Sequence, residues 1–186
     1  FISPWIIEIL QAIDPKTPLQ FNTNMTKINH KVIDALEKYD SVYIIASIDG
    51  VGQHNNYLRH GSDWPVVEDN FKIFQSMPNV RLDIGYILQH SSVYTLQNVV
   101  EFANTNNIKI WMGEVYDDSG YLGINSVLPD DVERAKRHLD CCNHEQRQTV
   151  QCWLDSHHFD AKLHKKYKEY VKQRQYQTFY NNFITT

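Results

Sequence analysis

The sequence predicts an α/β fold, a partial barrel of parallel strands followed by a C-terminal helical segment. Three observations carry this. Apolar runs of strand length alternate with amphipathic stretches of helical period. Each strand run turns polar at its carboxyl end, and no convincing strand follows Leu128. The strand candidates begin about 22 to 39 residues apart, the repeat of βα units joined by right-handed crossovers. Residues 1–127 are therefore read as the barrel portion and 128–186 as the helical segment.

Taken in order, Ile6, Ile9, Leu10 and Ile13 form a helical stripe with Pro4 near its start and Ser3 as N-cap. Pro15 and Pro18 end it. Leu19-Gln20-Phe21 is a short strand leading into Asn22-Thr23-Asn24, and Ile28, Val32, Ile33 and Leu36 mark the next helix. Val42 to Ala46 is a buried-strand run that becomes polar at Ser47 and turns at Asp49-Gly50. A polar loop carrying His54, Asn55, Asn56, Arg59 and His60 follows. A helix then begins near Trp64-Pro65, where the proline lacks only an N–H that a first turn does not use. Val80, Leu82, Ile84, Tyr86 and Leu88 alternate as one apolar face of a strand that stops at Gln89-His90-Ser91-Ser92. Ser92 is placed to cap a helix with Leu96, Val99, Val100 and Ala103 inward. Ile108 to Val115 is the last strand and ends in the acidic loop Asp117-Asp118. Pro129-Asp130-Asp131 opens a helix expected to run to about Leu154, and another covers roughly Phe159 to Phe179.

At 186 residues and 42% hydrophobic composition the chain can bury one real core. A net charge of −4 gives no broad attraction to nucleic acid, which is not an expected partner. No apolar run is long enough to span a bilayer and no signal peptide is visible, so no membrane partner is expected. Three cysteines do not make a disulfide framework, which points to a reducing, cytoplasmic setting. The chain begins at Phe1 and its first residues read as mid-domain structure, so a fragment is expected.

Ser47-Ile48-Asp49-Gly50, then Tyr57-x-Arg59-x-Gly61-x-x-Trp64, then Asn70-x-x-x-Phe74, resembles the fourth strand and following helix of radical S-adenosylmethionine enzymes. The RHGSDW run is similar to the branch bearing a shortened auxiliary domain, called twitch. The resemblance covers roughly residues 1–115; Tyr170-x-x-Gln173-Arg174 and Phe179-x-x-x-Phe183 resemble the family's closing helix only loosely. It implies a partial (β/α) barrel in which a four-iron four-sulfur cluster reductively cleaves S-adenosylmethionine. The product is a 5′-deoxyadenosyl radical that abstracts hydrogen from a substrate, a peptide or a small molecule, with a reductant protein as partner. The family's CxxxCxxC loop has no counterpart here. Cys141, Cys142 and Cys152 have the wrong spacing and are expected to be buried or half-buried thiols. The cluster ligands are therefore expected in a missing N-terminal part, and no catalytic residue or metal ligand is assigned in this chain.

What the resemblance does assign is a cofactor wall. Asn24 lies in a stretch similar to the family's TNG, with Met25 in place of Gly. Ser47 and Asp49 match positions that contact the ribose and amino-acid portions of the cofactor. Arg59 would pair with its carboxylate, and Leu88 lies where the adenine often packs. Ordinary readings stand beside these: Asn24 as a turn cap, Asp49-Gly50 as a turn, Arg59 as a solvated loop cation, Leu88 as core. The histidines, His157, His158 and His164 among them, read as solvated or capping rather than metal-binding. The lysines and tyrosines after Lys162 read as one amphipathic helix rather than a nucleic-acid surface. The alternative to an enzyme is a cluster-less partial barrel serving as a binding scaffold.

Overall fold

A computed structural model describes residues 5–173. Its four strands are β1 (Leu19–Thr23), β2 (Val42–Ser47), β3 (Val80–Leu88) and β4 (Ile110–Glu114). They form one sheet, every pair parallel, in the order of the sequence. The helices are α1 (Ile6–Ala12), α2 (His30–Leu36), α3 (Gln53–Leu58), α4 (Trp64–Ser76), α5 (Ser92–Thr105), α6 (Pro129–Arg137), α7 (His144–Asp155) and α8 (Ala161–Gln173). The α/β class, the parallel sheet and the helical C-terminal segment are as expected. The readings of Ser3 as a cap and of Arg174, Phe179 and Phe183 as part of a closing helix lie outside the described residues.

The two faces of the sheet differ because side chains alternate along each strand. Val42, Ile44 and Ala46 of β2 and Leu82, Ile84, Tyr86 and Leu88 of β3 are buried in the core, which α4 and α5 pack against. Each such valine, leucine or isoleucine side chain contributes about 1.5–3 kcal/mol by leaving water. The opposite face carries Tyr43, Ile45, Arg81, Asp83 and Trp111. There Asp83, 4% exposed, accepts from Tyr43 Oη at 2.8 Å, Trp111 Nε1 at 2.8 Å and Arg81 Nη2 at 3.1 Å. One carboxylate thus ties three strands together. It stays tolerable in a buried setting because three donors converge on its Oδ2.

Three local departures from expectation have physical causes. The polar loop after β2 contains a helix, α3, in which His54 and Asn55 are buried. It carries no apolar stripe, so periodicity could not show it. It starts from Gly52 at φ +63°, a left-handed conformation glycine adopts freely. The helix expected from Pro129 to about Leu154 is two helices, α6 and α7, parted by a 3-10 turn at Leu139–Cys141. α7 restarts at a capping box: Asn143 Oδ1 accepts from the Gln146 N–H and Gln146 Oε1 from the Asn143 N–H, each at 3.0 Å. Finally Met25 has φ +58° while fully buried. A side chain with a Cβ holds this left-handed turn at a cost of about 1–2 kcal/mol, offset by burial of its thioether chain and by Asn70 Nδ2, which donates to the Met25 carbonyl at 2.7 Å. Asn70 therefore ties α4 to the turn after β1.

Candidate functional site

Strands that run parallel end on one edge, so Asn24, which follows β1, Ser47, which ends β2, and Asp49, two residues beyond it, share one rim. Asn24 is exposed, and its Oδ1 accepts from the Thr26 backbone N–H at 3.3 Å and the Thr26 hydroxyl at 2.9 Å. That is the local turn bond asparagine favours, and it leaves the Asn24 Nδ2 outside the turn. Ser47 is half-buried, on the sheet face opposite the core. Leu88 is fully buried with the helix-side core, so its side chain offers no surface to the rim.

Asp49 and Arg59 come together. Arg59 Nη2 stands 2.7 Å from Asp49 Oδ2, with side chains 26% and 12% exposed. The Ile87 N–H adds a long 3.4 Å bond to Asp49 Oδ1. Gly50 makes the approach possible, because a Cβ there would sit 2.9 Å from His54 Cβ and 3.1 Å from the Asn55 backbone nitrogen. α3 folds directly over that glycine, returning the chain so that Arg59, its C-cap, reaches the carboxylate. Asn55 Nδ2 then donates to Ser62 Oγ at 2.7 Å and closes the loop. Beyond it Trp64 seats edge-on against Phe102, ring centroids 5.2 Å apart. Burial holds the His54 imidazole below its ordinary pKa, so it is neutral and belongs to the loop's framework.

Beside this pair a cleft of about 250 Å³ opens between the ends of β2 and β3 and the face of α8. Asp49, Arg59, Tyr57, His90, Tyr167 and Tyr170 line it. His90, 1% exposed, is held by Ser126, whose Oγ is 2.6 Å from His90 Nδ1. The Tyr167 ring stacks on it with centroids 3.4 Å apart. Ser126 gives its single hydroxyl proton to the Gly123 carbonyl at 2.8 Å, so its oxygen accepts from His90 Nδ1–H. His90 is therefore the Nδ1–H tautomer. Burial, with the nearby His164, lowers its pKa to about 3, so it stays neutral. His164 is 9% exposed and donates from Nδ1 to the Ser126 carbonyl at 2.8 Å, so the expectation of a solvated or capping residue is corrected for it. Neither Tyr167 nor Ser126 carried a local signal, and His90 read only as part of a strand terminator. Their meeting depends on α8 returning over the rim. α8 is amphipathic as expected, with His164, Tyr167 and Val171 buried and its lysines exposed.

A larger groove of about 740 Å³ runs beside the amino-terminal half of β4, lined by Ile108 to Met112 and the start of α7. It faces the end of the sheet away from the rim, where parallel sheets do not place their chemistry.

The cysteines do not fit a four-iron four-sulfur cluster. Cys141 is half-buried and Cys142 buried, with sulfurs 3.8 Å apart, and burial pushes the Cys142 thiol up to about 12. Cys152 is exposed, which corrects the expectation that all three are buried or half-buried, because α7 turns Val150, Trp153 and Leu154 inward instead. Among the described residues no three His, Cys, Asp or Glu side chains converge as metal ligands. Asp117 of the acidic loop is occupied locally, accepting from Ser119 and from the Leu122 N–H at 2.9 Å. No helix among the described residues is long and apolar enough to cross a membrane. No protein-family model matches the chain, and no curated protein matches it.

Proposed function

We propose that the rim binds S-adenosylmethionine and that the chain is part of a radical S-adenosylmethionine enzyme of the twitch-bearing type. The observation that carries this reading is the Asp49–Arg59 pair at the carboxyl edge of a parallel sheet, next to a cleft. Arg59 offers the cofactor carboxylate the guanidinium N–H groups that Asp49 does not hold. Asp49 retains lone pairs for ribose hydroxyls or the ammonium group. Ser47 and the Asn24 amide extend the same polar edge, and contact with adenine at Leu88 falls to its backbone. Reductive cleavage of the cofactor is the chemistry an iron–sulfur cluster supplies when bound. The cysteines described here do not provide that cluster, and no step is drawn through it. A peptide or small-molecule substrate, a reductant protein and a cytoplasmic setting belong to the same proposal.

The test is calorimetric titration of S-adenosylmethionine into the chain and its variants. A charge-assisted hydrogen bond contributes roughly 1.5–3 kcal/mol, so Asp49→Ala and Arg59→Ala should each weaken binding about tenfold to a hundredfold. Arg59→Lys should recover only part, since lysine lacks the planar fork. Unchanged affinity in both alanine variants overturns the assignment.

That the cysteines do not fit a cluster favours a second reading, a cluster-less binding scaffold without catalysis. Both readings expect anaerobic reconstitution of this chain with iron and sulfide to give no catalytic cluster. A stoichiometric cluster surviving gel filtration would remove the scaffold reading.

A further inference from the structure

Among the described residues, one side-chain polar atom of His90 has no hydrogen-bond partner. Nδ1 is committed to Ser126, and Nε2, a bare lone pair in this tautomer, is buried and unbonded. Arg59 presents the complementary case: its Nε–H is buried and unbonded, while Nη2 holds Asp49. Both residues line the same cleft. A buried polar atom left unsatisfied is costly, and such atoms are rare in native proteins unless a ligand or an ordered water completes them. Here a buried acceptor and a buried donor belong to two residues that line one small cavity. Tyr57, Tyr167 and Tyr170 line it together with Asp49, Leu58, Gln89, Ser91 and Leu122, and the aromatic residues favour a planar guest. At about 250 Å³ the cleft is smaller than a drug-sized ligand site, so it takes one group of a ligand rather than the whole.

We propose that this cleft is a recognition pocket for a small planar group bearing an N–H donor and a hydrogen-bond acceptor, the donor meeting His90 Nε2 and the acceptor meeting Arg59 Nε–H. A primary carboxamide and the amino edge of a nucleobase share that chemistry. His90 is the residue that sets specificity: as a neutral acceptor it takes an N–H and rejects a carboxylate or carbonyl oxygen. Both open atoms are screened from bulk water, so the guest reaches them when a tyrosine ring at the mouth turns aside, with α8 as the cover. The inference goes beyond the reading above, because it rests on the two open atoms and holds whether or not the ligand is S-adenosylmethionine.

The probes are nicotinamide, adenosine and purine riboside, which is adenosine without its amino donor. Binding is followed by ligand-observed NMR and calorimetry on the 186-residue chain. His90→Asn keeps an N–H where Nδ1 meets Ser126 and removes the Nε2 acceptor. His90→Gln keeps an acceptor near the Nε2 position and gives up the Ser126 bond. Nicotinamide or adenosine, or both, should bind the wild type and lose about tenfold or more in His90→Asn, with partial recovery in His90→Gln. Purine riboside should bind the wild type about tenfold more weakly than adenosine and be indifferent to His90→Asn. Binding of nicotinamide alone assigns the carboxamide, and of adenosine alone the nucleobase edge. Absence of binding by every probe, or equal binding of adenosine and purine riboside, overturns the proposal and leaves an ordered water as the partner of both atoms. If the probes behave as expected while S-adenosylmethionine does not bind, the cofactor reading fails and this one stands. The reverse pattern separates them the other way.

Discussion

Two connections build the rim, and they are held in opposite ways. The one from β2 to α4 holds itself: Gly50 lets α3 lie close, Asn55 ties to Ser62, and Arg59 returns to Asp49. The one from β3 to α5 is held from a distance. His90 is clasped by Ser126, which lies 36 residues further on, and covered by Tyr167 of α8. The first is a local device in which Asn55 is buried and the Asp49–Arg59 ion pair stays partly wet. The second is a buried polar network whose members come from separate elements. In low dielectric such a network is strong when complete and costly when one member is removed. The side of the rim that looks most functional in sequence should therefore be the more forgiving of substitution, and the side that looks bland the less.

The largest effect that could break this contrast is Ser126→Ala. It strips the acceptor from His90 Nδ1–H and the donor from the Gly123 carbonyl inside a buried site. A loss of about 2–4 kcal/mol is expected, lowering the melting temperature by about 5–15 °C. A change of only a degree or two would mean that the distant clasp is not what holds the β3 connection.

Acidification comes next. The His90 pKa lies near 3 when folded against 6.5 for the free group, so between these values the unfolded chain binds more protons and stability rises with pH. The contribution is full above about pH 6.5 and is lost as pH falls towards 3. By about pH 4.5 the loss should be on the order of 2 kcal/mol. His164, Tyr167 and Ser126 face the ring and hold no negative charge that would welcome its proton. Melting curves from pH 7 to pH 4.5 should fall more steeply for the wild type than for His90→Asn. Parallel slopes would show that carboxylates, not His90, govern the acid limb.

Gly50→Ala tests the local side. The added Cβ meets His54 Cβ and the Asn55 nitrogen, so α3 must shift at a cost of about 1–3 kcal/mol, and S-adenosylmethionine affinity should fall with it if Arg59 is displaced. Retained affinity despite a lowered melting temperature would uncouple the glycine from the rim. The smallest effect on stability belongs to Arg59→Ala. Its ion pair is partly exposed and solvent-screened, so about 0.5–1 kcal/mol is expected by thermal melt. A drop as large as that of Ser126→Ala would erase the distinction between the two connections.

The same contrast explains what could be read beforehand. The four strands and the order of βα units were legible because their periods are local and apolar. So was the rim, because strand ends turn polar within a residue or two. Asp49 and Arg59 were legible as a motif, though not as each other's partners, since α3 has no stripe to announce that the loop doubles back. The setting of His90 was illegible because it depends on Ser126 and Tyr167, and nothing near residue 90 encodes where α8 will lie. The break between α6 and α7 was available in Asn143-x-x-Gln146, but the charge-rich run around it hid the cap. Met25 stood out as a departure from glycine, and its left-handed backbone is the physical content of that departure.

The Asp83 knot on the open face has a consequence for the order of folding. Its bonds to Tyr43 and Trp111 span 40 and 28 residues of chain, so each forms only when a large loop has closed. Loop closure costs entropy before any contact repays it, which makes such bonds late events that follow registration of β2, β3 and β4. Once made, they couple the three strands, so the sheet should open as one unit rather than fray strand by strand. Amide exchange protection at Ile44, Ile84 and Met112 would then share a single opening free energy. Asp83→Asn would lower all three together while leaving the α6–α7 helices protected.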